Sequence, residues 1–218
     1  MDSLNILLIT AAGTGFVHAI IGPDHYLPFI FIAKARKWSL KKTLFITFYC
    51  GLGHLASSVI ISFAGIALGY GISQIESFDL LRGSLAAWVF LLFGLSYMVW
   101  GARQAAKNKA HTHEKRHQDD DHMHEKSKLT PWVLFIIFVF GPCEILIPQV
   151  MIPAAHHNTG GVIAVITLFS IATILTMCAA VAMGYYGFKI LPTAKIERYM
   201  HVIAGAILFL SGLVMIFF

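Results

Sequence analysis

Apolar residues run along this chain in long blocks, separated by short polar turns, with no sustained period-2 alternation. Blocks at 4–33, 43–70, 84–101, 131–155, 162–188 and 199–218 each supply the roughly 20 mostly apolar residues that a helix needs to cross a bilayer. Helices that are apolar all round have no side for water. The expected fold is therefore an all-α membrane protein of six transmembrane helices. The opening MDSLNILLITAAGTGFVHAI lacks a basic n-region and a small-residue cleavage site, and ionisable residues follow in the same block. It is read as a permanent span and not a cleaved signal.

Composition narrows this further. With 57% hydrophobic and 12% charged residues over 218 positions, the chain is too apolar to fold as a water-soluble domain. The formal net charge of +5 matters through its distribution. The turn from Lys34 to Lys42 holds five basic residues and the stretch from Arg103 to Lys128 holds seven, and Lys189, Lys195 and Arg198 flank the last connection. The alternate loops are poor in base: 71–83 has only Arg82, and 154–161 has no Lys or Arg. Basic loops face the cytoplasm, which predicts a multi-pass protein of the plasma membrane with both termini outside. The same pattern assigns the excess base to membrane topology, with lipid and no nucleic acid as partner.

Two segments look alike. GPDHYLPFIFIA begins at Gly22 and GPCEILIPQVMIPA at Gly141, each in the first helix of a three-helix half. Three helices per half is an odd number, so the second copy must insert upside down. This gives two inverted three-helix repeats with broken first helices, of the type that builds a substrate site near the bilayer midplane. The expected organisation is a first half at 1–102, a His-rich cytoplasmic loop at 103–129 and a second half at 130–218. Pro23 and Pro142 remove backbone donors, and the carbonyls they free are tolerated at membrane depth only when buried or lining a polar cavity.

Ionisable residues in such surroundings mark an ion or substrate path by default. HAIIGPDH places His18, Asp24 and His25 in the first span, and GLGHLASS places His54 in the second. Glu144 and Cys143 stand beside Pro142, Glu144 as an acid that also suits freed backbone N–H groups, Cys143 as a soft ligand or a small packing residue. Imidazole and carboxylate together suit borderline divalent ions, whereas magnesium and calcium take oxygen alone. The HTHEKRHQDDDHMH tract adds His111, His113, His117, His122 and His124 among acids, a composition that captures metal without selecting one. Its other reading is a solvated linker. His156 and His157 suit an entry or exit point or plain solvation, and Thr173 and Thr176 hydrogen-bond or pack in the fifth span. Cys50, Cys143 and Cys178 lie in three different blocks without CxxC spacing, so neither a disulfide framework nor a zinc finger is indicated. No nucleophile–base pair or phosphate-cradling loop suggests an enzyme.

Through HAIIGPDH, the basic turn after it, GLGHLASS and GPCEILIP, the chain resembles the nickel/cobalt transporter family, including its six-helix efflux branch and the relatives found with urease, within a lysine exporter-like superfamily. The resemblance implies that His18, Asp24, His25 and His54 select the metal, that a nickel or cobalt ion is the cargo with no cofactor besides, and that the two halves alternate access. It departs from the uptake branch, which has eight spans. A homo-oligomer or a metallochaperone partner is left open. The same superfamily holds thiol-disulfide carriers of cytochrome c maturation, with a Pro-Cys pair in both halves; only Pro142-Cys143 matches here. A metal-binding accessory subunit is a third reading.

Overall fold

A computed structural model describes residues 3–68, 72–110, 129–141, 143, 145–155, 158–190 and 199–217. Among these the chain is helical throughout, without strands. The elements are α1 (Ser3–Ile21), a 3-10 turn (Pro23–His25), α2 (Leu27–Ala35), α3 (Leu40–Ala67), α4 (Ile72–Ala110), α5 (Leu129–Phe140), α6 (Leu146–Ala155), α7 (Thr159–Ile190) and α8 (Met200–Phe217). Among the described residues five helices are long and apolar enough to cross a membrane: α1, α3, α4, α7 and α8. Their outward sides carry a dense coat of exposed apolar residues, such as Ile9, Phe16, Phe45, Leu92, Leu175 and Phe217, far beyond what a soluble monomer shows to water. The chain is accordingly a multi-pass membrane protein.

The blocks read as the first and fourth spans are each interrupted. Pro23 disfavours helical backbone at the residue before it, and Gly22 is extended, with φ −81° and ψ 92°. The chain then makes one 3-10 turn, with His25 N–H donating to the Gly22 carbonyl at 3.0 Å, before α2 resumes. In the second block α5 ends at Phe140 and α6 starts at Leu146, whose N–H donates to the Cys143 carbonyl at 3.1 Å. Neither α5 nor α6 is long enough to span alone. The block read as 84–101 is in fact the 39-residue α4. Its polar first turns lower the local hydropathy, yet the backbone hydrogen bonds propagate through them, and the helix continues past residue 102 to Ala110.

One end of the bundle gathers around the turn after α2. Lys37 takes φ 53°, which closes α2, and Ser39 then caps α3 by accepting from Lys42 N–H at 3.3 Å. Arg36 Nε donates to the Tyr97 hydroxyl at 3.1 Å, and that hydroxyl shares a hydrogen bond with His201 Nδ1 at 2.9 Å, joining the turn to α4 and α8. Tyr185 of α7 donates to the Trp38 carbonyl at 3.2 Å. Tyr97→Phe is expected to cost about 1–3 kcal/mol, because Arg36 and His201 each lose a partner; a lowered melting temperature of the purified protein checks it.

These contacts fix helix directions. α4 and α7 both run towards the Arg36 end, and α8 runs away from it. The tightest seam is α4 against α8, antiparallel and lined by glycines on both sides. A Cβ on Gly94 would meet the Leu208 carbonyl carbon at 2.8 Å, one on Gly205 the Met98 Cα at 2.6 Å, and one on Gly212 the Leu91 nitrogen at 2.6 Å. Elsewhere α1 packs on α7, and α3 packs on both α5 and α7.

Two apolar clusters fill the interior. One, towards the Arg36 end, contains Phe29, Ile32, Phe90, Leu134, Phe138 and Leu208. The other contains Leu55, Cys143, Leu146, Val150, Val165 and Phe169. Between them lies the site.

Candidate metal centre

The break at Gly22 turns the chain so that His25 faces back towards His18. Had α1 continued straight, the two would stack two turns apart, about 10 Å; instead their rings meet edge to face with centroids 4.5 Å apart. His54 arrives from α3, its ring 5.3 Å from that of His25 and 6.2 Å from that of His18, nearly parallel to the latter. Phe138 of one apolar cluster and Phe169 of the other flank the three imidazoles. The histidines expected from sequence thus come together, and Asp24 with them.

Hydrogen bonding orients the rings. His54 Nδ1 lies 3.2 Å from the Phe138 carbonyl, in the last turn of α5. An N–H there donates to that oxygen and leaves Nε2 as a lone-pair nitrogen. His54 is only 3% exposed, and its Nε2 is buried without a hydrogen-bond partner. A buried polar atom left so is costly unless something else satisfies it. His25 shows the same device: Nδ1 sits 3.2 Å from the Gly22 carbonyl and 3.4 Å from the Asp24 carboxylate. An imidazole that gives its second nitrogen to a carbonyl or carboxylate is the usual arrangement of a metal-binding histidine.

A cavity of about 580 Å³ opens onto His18, Gly22, Asp24, His25, His54 and Gly141. Each of the two glycines opens a Gly-Pro segment, and side chains there would intrude on the site. A Cβ on Gly22 would meet Asp24 Oδ1 at 2.9 Å, and one on Gly141 would meet His54 Nδ1 at 3.2 Å. Cys143 is fully buried, with Sγ 3.8 Å from His18 Nε2. Cys50 lies in the other apolar cluster, so no second thiol of the described residues accompanies it there.

Other sequence candidates fall differently. Glu144, His111, His113, His117, His122, His124, His156 and His157 lie outside the described residues. Thr173 donates to the Gly15 carbonyl of α1 at 3.3 Å, and Thr176 to the Ala172 carbonyl of its own helix at 2.7 Å. Arg82, read as part of a loop, lies in α4, where it is 7% exposed and donates to Ser58 Oγ at 2.8 Å, one turn from His54.

Some polar residues escaped the sequence reading. Thr43, Thr47, Ser58 and Ser62 form, with His54, one buried polar face of α3. Thr43, Thr47 and Ser62 donate to carbonyls four residues back, which hides their polarity. The spacing at turns of the helix was the available signal. Gln149 was another: an amide in an otherwise apolar block, it donates to Thr14 Oγ1 at 2.7 Å while its own Oε1 is buried without a partner.

Comparison of the chain with protein-family models, with curated proteins and with solved structures finds no match.

Proposed function

We propose that this protein carries a divalent transition-metal ion, nickel or cobalt in first place, across the plasma membrane. The observation that carries the reading is His54. Its Nδ1 is held by a backbone carbonyl and its Nε2 is buried without a partner. It stands within ring contact of two further imidazoles around a break in a membrane helix. Structural histidines are satisfied by their neighbours; this one waits for a ligand-accepting ion.

Transport, as distinct from storage, is supported by the plan of the chain. That α4 and α7 run the same way supports a return crossing by α5 and α6 together, and with it a count of six. The contacts also exchange between halves: α1 packs on α7 as α5 packs on α3. The offset that carries Gly22 to Gly141 also carries His54 to Thr173. Each of the latter two donates to a backbone carbonyl of the other half's broken helix. These correspondences support the reading of an inverted-repeat carrier, in which the site at the breaks is exposed to one side and then the other. The basic turn at Lys34 to Lys42 marks the cytoplasmic end, so both termini face outside. The protein is a carrier and not an enzyme, and a thiol-disulfide carrier would need a second cysteine within reach of Cys143.

Metal flux into proteoliposomes, with nickel, cobalt, zinc and manganese compared, tests this. Selective flux is expected for the wild type. Asp24→Asn should lose it while remaining folded, since the Asp24 carboxylate both orients His25 and lines the cavity. No flux of any of these metals in either imposed direction would overturn the reading.

A further inference from the structure

The ligands that the resemblance implies all come from the first half, yet a donor atom from the α5–α6 break, Cys143 Sγ, stands among them. One ligand atom from each of His18, His54 and Cys143 can be chosen so that all lie within 4.8 Å of one another. Cys143 Sγ is already 3.8 Å from His18 Nε2. Bonds of about 2.0–2.3 Å to zinc-like ions place neighbouring tetrahedral ligands about 3.4–3.8 Å apart, so the set closes on an ion by side-chain shifts of about 1 Å. The second observation is the buried, unpartnered Nε2 of His54. His25, held at Nδ1 by Gly22 and Asp24, stands beside this set of three.

We propose that His18, His54 and Cys143 form a mixed imidazole–thiolate site, with Asp24 and His25 as the pair that positions it and completes its charge. This deepens the carrier reading and rests on it. A thiolate selects thiophilic first-row ions, cobalt, nickel and zinc, over manganese and magnesium, which prefer oxygen. Binding deprotonates the Cys143 thiol and releases that proton to water. The sulfur comes from the break between α5 and α6 and the nitrogens from α1 and α3, so the ion ties one half of the molecule to the other. A site of His18, Asp24, His25 and His54 alone would tie nothing across.

Cobalt(II) added to the purified full chain reads the proposal directly. Wild-type protein should develop a thiolate-to-cobalt charge-transfer band in the near ultraviolet, to which the histidine tract cannot contribute. Cys143→Ser should lose the band and weaken binding at this site at least about tenfold, and Cys50→Ser should keep the band. X-ray absorption of the cobalt-loaded wild type should show one sulfur among nitrogen or oxygen neighbours, and this arm needs no variant to fold. Cobalt carried across the membrane but bound without sulfur, or a band that survives Cys143→Ser, would overturn the thiolate site and leave the carrier standing. Absence of both cobalt binding and metal flux would overturn the two together.

Discussion

Gly205→Leu is expected to prevent the bundle from assembling. At Gly205 any side chain runs into the nitrogen and the Cα of Met98 on α4. Backbone atoms cannot rotate out of the way as a side chain can, so α8 must move off α4 along its length. Overpacking that side chains can relieve costs about 1–3 kcal/mol; here the cost exceeds that range and takes a large share of the roughly 5–15 kcal/mol that holds a domain folded. The variant should be recovered from membranes as aggregate or fragments. Gly187→Leu is the control, because a Cβ on Gly187 meets nothing within 4 Å. Size-exclusion chromatography of both variants in detergent gives the answer, and a monodisperse Gly205→Leu would show that the seam is looser than described.

His54→Ala should do the reverse, leaving the fold and removing the function. The ring touches Phe138 and the two other imidazoles, and its removal leaves a void beside a cavity that already exists, so the loss of stability is modest. Metal flux should fall at least about 100-fold, because the change deletes a donor atom outright, where loss of a mere orienting partner costs 10- to 100-fold. Thr173→Ala, at the corresponding place in the second half, loses one hydrogen bond to Gly15 worth about 1 kcal/mol and should keep its flux. Flux and melting temperature measured on the same preparations separate the two. Equal losses of flux in both variants would mean that the site does not depend on the imidazole.

The sequence made the breaks legible because Gly-Pro acts locally: proline removes a donor and constrains the residue before it, whatever surrounds it. The gathering of His18, His25 and His54 was legible for a related reason, as ionisable groups in apolar blocks have few places to go except towards each other. The ends of α4 were not legible, since hydropathy reports solvent and not helix length. The position of Cys143 stayed open. A small residue after Gly-Pro fits a packing position as well as a ligand, and only the fold brings its sulfur to 3.8 Å from His18 Nε2. Arg82 was misplaced in a loop because a lone cation looks solvated in sequence, while Ser58 offers it a partner 24 residues back.

The glycine seam between α4 and α8 bears on how such a molecule can move. Two helices whose backbones touch over three turns or more cannot slide or part without opening empty space that neither lipid nor side chain fills. On the proposed division of the chain they belong to different halves, which the seam would pin together like the two leaves of a hinge at its pin. Motion is left to the segments beyond the pin, the elbows at Gly22 and Gly141, where helices already lack the continuous hydrogen bonding that makes a rod stiff.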